Sequence, residues 1–367
     1  VLATDASRIR LQRPVSNYSL PLRLLLIGLP LTIILGAGVG LLLFAELGLW
    51  GAAVLAVILA PTDASLGQSV VSNPLVPARI RQALNIESGL NDGIAMPFLI
   101  LTLSLAVSSA EQVGSGAFLL FTAQQIVFGL LGGLLVGYLG ARFIRWGNDS
   151  GWMSRPFQKI CWLALIILAY GTAGVIGGNG FIASFVFGIT SGRVFSTDEM
   201  ASLDDFAEIE NALLMLMTYM VFGMVMLLPA LERIDATVVL YTLLSLTVVR
   251  MLPVAISLLG TNLQPVSVLF MGWFGPRGIA SILYVLTVVA AEELAARDTI
   301  YTAVMITVLV SVLAHGLTAA PFSDNYGKRI AQLDEKGEAE SEMLPVPEMP
   351  TRAQTGPVAV AGSGTGG

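Results

Sequence analysis

Glu87-Ser88-Gly89-Leu90-Asn91-Asp92 places two carboxylates, a carboxamide and a hydroxyl at the head of an apolar run that continues through Met96, Pro97 and Phe98 to about Ala106. On a helix, residues spaced by four share a face, so Glu87 lies above Asn91 and Ser88 above Asp92. An ionisable group at bilayer depth costs about 2.5–3.5 kcal/mol on insertion scales and by default marks an ion or proton pathway. Whether this run is a membrane span is decided by the rest of the chain.

Composition answers that. Of 367 residues, 55% are hydrophobic and 12% are charged, against about 25% charged in a soluble domain. The mean hydropathy is +0.80. These values describe a polytopic membrane protein. The formal charge of −6 sits largely in loops and in the tail, and no basic stripe offers itself to nucleic acid, which is excluded as a partner. Cys161 stands alone in an apolar run, so no internal disulfide can form and a buried, inert thiol is expected. His315, also alone, excludes a histidine-rich metal site. No cleavable signal peptide is visible. The chain starts at Val1 and enters the basic segment Arg8-Ile9-Arg10-Leu11-Gln12-Arg13, which reads as a chain whose beginning is missing.

A spanning helix needs about 20 mostly apolar residues. The chain offers ten such stretches, at roughly 21–45, 47–71, 82–108, 116–141, 158–176, 178–192, 209–228, 236–260, 266–290 and 299–321. Lys and Arg collect in every second connection: Arg8, Arg10 and Arg13, then Arg79 and Arg81, then Arg142, Arg145, Arg155 and Lys159, then Arg193, and finally Lys328 and Arg329. The alternate connections carry Glu46, Glu111, Glu232 with Arg233 and Asp235, and Glu292, Glu293, Arg297 and Asp298. Basic loops stay cytoplasmic, so both ends of the chain are expected there, with an even number of spans between. From Ser323 the composition turns charged and then rich in Pro, Gly and Ala. That predicts a membrane domain over 1–322 and a disordered cytoplasmic tail over 323–367.

Five ionisable residues fall well inside the expected spans: Asp63, Glu87, Asp92, Arg250 and Arg277. Charges at that depth pair or line a water-filled cavity. Three acids against two arginines leave one carboxylate over, the natural candidate for a cation or proton site. Asp63 follows Pro61-Thr62 in the second stretch, and Gly275-Pro276-Arg277-Gly278 interrupts the ninth. Glycine and proline leave backbone groups without helical partners, and a pair of interrupted segments in the two halves of a chain points to a transporter's midplane site. Freed carbonyls could face a cation while Arg277 balances the broken ends. The plain alternative is a pair of packing kinks.

These motifs resemble those of the bacterial sodium/proton antiporters in the monovalent cation:proton antiporter family that includes the sodium/hydrogen exchangers. Pro61-Thr62-Asp63-Ala64 followed by Glu87-Ser88-Gly89-Leu90-Asn91-Asp92-Gly93 is similar to that family's Thr-Asp pair on one span and Glu-Ser-x-x-Asn-Asp run on the next. Phe274-Gly275-Pro276-Arg277-Gly278 resembles its Gly-rich arginine motif, and Val312-Leu313-Ala314-His315-Gly316-Leu317-Thr318 the end of its last span. The similarity covers residues 1 to about 329; Gly89 and Pro276 stand where the family usually has leucine.

The resemblance implies an all-α polytopic membrane protein with about ten transmembrane helices here, an inverted-repeat antiporter fold with two broken crossing helices. It also implies that about two N-terminal helices are lacking and that the chain as given transports weakly or not at all. By the same resemblance Asp92 holds the transported cation or the proton, Asp63 is the second acid, and Thr62 and Ser88 are oxygen donors beside them. Asn91 is the asparagine that accompanies electroneutral exchange, Glu87 and Arg250 form a structural ion pair, and Arg277 compensates the broken helices. Asp5 resembles a further acid near the site.

The implied function is secondary antiport of a monovalent cation, sodium first with potassium or lithium as alternatives, against protons. It would work by competition at Asp92 with alternating access and serve pH homeostasis. The only metal implied is the transported cation at Asp92 and Asp63, with no cofactor and no enzymatic activity. The implied partners are that cation, protons, the lipid bilayer and a second copy in a homodimer, in a bacterial inner membrane. Two other classes fit the residues: an intramembrane aspartyl protease using Asp63 and Asp92, and a passive cation channel. The first lacks that family's Gly-x-Gly run, and the second needs no counter-moving proton. The acidic run Asp198, Glu199, Asp204, Asp205, Glu208 and Glu210 reads as a solvated helix face or a cation funnel, and His315 as a capping or packing residue.

Overall fold

The computed structural model describes residues 2–7, 19–63, 66–111, 115–195, 197–294 and 296–346, and among them every regular element is helical. Helix α1 (Leu2–Ser7) is followed by α2 (Ser19–Leu43), which carries a π-helical turn at Leu24–Gly28. Helix α3 (Gly48–Leu59) ends at a first break, and α4 (Gln68–Val71) follows it. The long helices α5 (Ala78–Glu111) and α6 (Ser115–Asp149) lead to α7 (Arg155–Val175) and α8 (Gly180–Val194). Helix α9 covers 197–231 through a second π-helical turn at Phe222–Met226, and α10 (Ala236–Ser257) is interrupted at Thr247. A second break separates α11 (Pro265–Trp273) from α12 (Ile279–Ala290), and α13 (Arg297–Asp334) follows.

Among the described residues, seven helices are long and apolar enough to cross a membrane, and Ala45–Leu59, Gly180–Val194 and Ile279–Ala290 are shorter apolar helices. They coincide with the ten stretches expected from the sequence, the second and ninth being the two that break. Apolar burial gives little drive for helix association in lipid, so packing depends on close approach at small residues. Gly36 and Gly40 of α2 lie against Ala56 and Ala52 of α3, where an added Cβ would stand 3.1 and 3.3 Å from the alanine Cβ atoms. The stripe Gly129, Gly133 and Gly137 brings α6 onto the backbone of α8. Asn179 starts α8 by accepting the Phe181 and Ile182 N–H groups on its Oδ1 at 2.9 and 3.2 Å. The main core joins α3, α12 and α13 through Val54, Ile58, Val285, Val304 and Val308, all buried.

Two expectations need correction. Residues 323–346 are ordered: α13 continues to Asp334, and the segment after it folds back on the start of α11. Tyr326 stacks on Phe270 with ring centroids 4.0 Å apart, while Ile330 and Ala339 are buried in the same cluster. A few apolar residues spaced along a charged helix, each meeting a preformed surface, anchor what composition alone read as disordered; residues 347–367 lie outside the described residues. Cys161 is free but only partly covered, since its face of α7 is not fully packed.

The anchor of the fold-back is Glu342, 1% exposed, whose Oε1 accepts the Gln264 N–H and the Ser267 hydroxyl at 2.7 Å each, capping α11. Glu342→Ala would strand one buried and one half-buried donor, a loss of about 1–3 kcal/mol. Thermal unfolding in detergent should show a lower midpoint, and limited proteolysis should cut after Asp334 in the variant before the parent. An unchanged midpoint would mean that the segment does not hold α11.

Candidate functional site

The two breaks meet and bond to each other. The Asp63 N–H donates to the Pro276 carbonyl at 2.8 Å, joining the backbone of the first break to that of the second. The side chains then act reciprocally. Asp63 Oδ2 accepts the N–H of Ile279, the first residue of α12, at 2.9 Å, and the Tyr219 hydroxyl of α9 reaches the same oxygen at 3.4 Å. Arg277 Nη1 donates to the Ala60 and Pro61 carbonyls at 2.9 and 3.1 Å, where α3 ends. An acid thus sits at a helix N-terminus and a cation at a helix C-terminus. Each satisfies orphan backbone groups and opposes the local dipole, for roughly 0.3–1 kcal/mol at an exposed site and up to about 2 in partly buried geometry. Gly278 is required here, because a Cβ would strike the Asp63 carboxylate. Ser311 of α13 accepts the Arg277 N–H at 2.7 Å, and the Ser281 hydroxyl donates to the Ile58 carbonyl at 2.8 Å.

Helix α5 passes beside this crossing. Asn91 Nδ2 donates to Thr62 Oγ1 at 2.7 Å, and Thr62 Oγ1 is 2.9 Å from Ser88 Oγ. Thr62 and Asn91 are 1% exposed, Ser88 and Asp92 8%. Asn91 Oδ1 is buried with no hydrogen-bond partner among the described residues. Asp92 follows Asn91 on the same helix, and the Tyr284 hydroxyl of α12 donates to the Asp92 carbonyl at 2.6 Å. The Phe185 ring fills the place a Cβ would take at Gly93, so α8 packs close to α5 there. Pro97 has no N–H for the Gly93 carbonyl, which loosens α5 one turn beyond Asp92.

One turn before Asn91, Arg250 of α10 grips Glu87 with two bonds, Nη1 to Oε1 at 2.6 Å and Nη2 to Oε2 at 2.9 Å, both side chains being 3% exposed. Gly275 lies against the Arg250 side chain, leaving no room for a Cβ. His315 sits behind the second break: Nε2 is 2.9 Å from the Trp273 carbonyl that ends α11, and Nδ1 is 2.8 Å from the Ser311 carbonyl.

Thr62, Ser88 and Asn91 therefore form one hydrogen-bonded chain, with Asp63 and Asp92 each adjacent in sequence to a member. Glu87 with Arg250 lies one turn along α5, and Arg277 serves the crossing. His315 is a cap. The Asp5 side chain, residues 64–65, and the side chains of Asp198, Asp204, Asp205 and Glu208 lie outside the described residues. Sequence reasoning missed Tyr219, Ser281, Tyr284 and Ser311, single hydroxyls in apolar runs with no local pattern to mark them. Two hydroxyls and a carboxamide from two segments converge here, oxygen-bearing groups of the kind a small hard cation accepts.

Breaking the buried Glu87–Arg250 pair should be costly. Glu87→Ala or Arg250→Ala leaves a lone charge and should each lose about 3–5 kcal/mol. The double variant should lose less than the sum of the two. Unfolding midpoints of the three proteins in detergent test this, and single variants as stable as the parent would contradict it.

The chain has relatives of known kind. It is 25% identical over 300 residues to "Na(+)/H(+) antiporter 2" of Zygosaccharomyces rouxii, covering 71% of this chain and 36% of that one. It is 26% identical over 316 residues to a probable Na(+)/H(+) antiporter of Schizosaccharomyces pombe, covering 76% and 41%. To "Na(+)/H(+) antiporter NhaH" of Halobacillus dabanensis it is 26% identical over 291 residues, covering 74% and 68%. The chain thus spans 36% and 41% of the two yeast relatives. The structure of the sodium proton antiporter MjNhaP1 from Methanocaldococcus jannaschii superposes with a TM-score of 0.70 at 17% identity, covering 89% of this chain and 83% of that one, and shows the fold to be the same. These relatives are named as transporters, not as enzymes. The family described as "Sodium/hydrogen exchanger, transmembrane" matches residues 6–324, and the chain belongs to it.

Proposed function

We propose that the protein exchanges a monovalent cation for protons across a membrane and that both compete for Asp92. The observation that carries this reading is the Thr62–Ser88–Asn91 hydrogen-bonded chain, which ties the acid-bearing break to the acid-bearing helix. Asp92 is held 8% exposed at membrane depth, where an ionised carboxylate is costly, and a proton or a cation bound there offsets that cost. Asn91 Oδ1, Thr62 and Ser88 supply the further oxygens that a dehydrated sodium ion needs; lithium and potassium are the alternatives. Asp63 contributes from the first break, where its Oδ2 already accepts the Ile279 N–H.

With one site for two competitors, exchange follows if the empty, charged site crosses poorly. Alternating access arises from rocking of the bundle around the crossed helices. A single carboxylate that trades one proton for one monovalent cation moves no net charge, so the exchange is electroneutral. Loop charge and the family resemblance support both ends lying in the cytoplasm, an inner-membrane location, a homodimer and a role in pH homeostasis.

The test is sodium-driven proton movement in proteoliposomes, read by a trapped pH dye, for the full-length protein and for its Asp92→Asn variant. Exchange should fall to the protein-free background in the variant, and in the parent it should not change when the potential is clamped. Exchange that survives Asp92→Asn would move the site to another residue. A rate that follows the potential would end the electroneutral reading. Cation flux without counter-moving protons would favour a channel.

A further inference from the structure

On the outer flank of the second broken helix a groove of about 400 Å³ opens between α10, α11 and α13. Its walls are Leu269, Phe270, Trp273 and Phe322, and Arg329 with Asn325 lies at one end. Leu269 is 60% and Phe322 46% exposed, so the groove opens outward on a helix bundle that spans the membrane. We propose that it binds one anionic phospholipid, with an acyl chain along the aromatic wall and the phosphate at Arg329.

Charge and shape both favour that occupant. Among the described residues Arg329 is the one ionic side chain lining the groove, and it sits where α13 passes from its apolar stretch into the charged segment that begins with Lys328. A guanidinium fork matches a phosphate, and basic pockets at the membrane edge select anionic headgroups over zwitterionic ones. Lys328, exposed, adds to the local positive field. The neighbouring carboxylate, Asp324, accepts a 2.8 Å bond from Asn73, which is not a groove residue, so it is engaged on another flank. The wall also adjoins the second break. Trp273 ends α11, its ring stacks on His315 at 5.1 Å, and its Nε1 donates to Thr318 at 3.0 Å. A lipid in the groove therefore touches the residue just before the second break. The site stands apart from the oxygen cluster around Asp92 and does not depend on what is transported.

Trp273 supplies the probe. The protein is reconstituted in phosphatidylcholine vesicles containing a minor fraction of phosphatidylglycerol, with the acyl chains of one lipid or the other brominated. The Trp273 signal is the difference between the protein and its Trp273→Phe variant. At equal mole fraction, brominated phosphatidylglycerol should quench that signal roughly fivefold more than brominated phosphatidylcholine. Arg329→Gln should bring the ratio to about one, and Arg329→Lys should keep part of it. Equal quenching by both lipids in the unaltered protein would reduce the groove to ordinary lipid contact and overturn the proposal. Quenching by neither would show that another polypeptide covers it, which overturns it too. Native mass spectrometry gives an independent reading: a phosphatidylglycerol retained on the protein in detergent should be lost in Arg329→Gln, and equal retention would count against the site.

Discussion

The structure depends on mutual capping of two broken helices. In hydrocarbon each unsatisfied backbone group costs several kcal/mol, so neither break could stand alone at membrane depth. Asp63 of the first break covers the start of α12, Arg277 of the second covers the end of α3, and the Asp63 N–H bonds the Pro276 carbonyl between them. The polar residues that make the breaks possible are for that reason gathered at one crossing. Asp63 and Asp92 are consequently unlike. The first holds the crossing together through the Ile279 N–H, whereas the second projects from the continuous helix α5.

The buried arginines have separate duties. Arg250 is held by Glu87 in a two-bond pair that joins α10 to α5 and leans on Gly275 of the second break. Arg277 is held by backbone carbonyls and by Ser311. A buried ion pair adds little to net stability over a well-packed apolar substitute, but losing one partner is expensive. The energetic weight of the Glu87–Arg250 pair therefore lies in the cost of losing one partner.

Helix α11 is tied at its start by Glu342 from the fold-back and at its end by His315 and Thr318. Its outer flank carries the groove with Arg329 at its rim.

Hydropathy by itself marked the ten apolar stretches, seven of which form helices long enough to cross a membrane among the described residues. Proline and glycine beside Asp63 and Arg277 likewise marked the breaks, since neither residue type supports a continuous helix there. Which groups meet was decided only by the tertiary structure. Thr62 with Ser88 and Asn91, Asp63 with Ile279, and Tyr284 with the Asp92 carbonyl join residues far apart in the chain, and the hydroxyls of Tyr219, Tyr284 and Ser311 carry no local signal. The order of residues 323–346 was equally out of reach of composition. It rests on Tyr326 finding Phe270 and Glu342 finding Ser267, contacts that exist only once α11 and α13 are side by side.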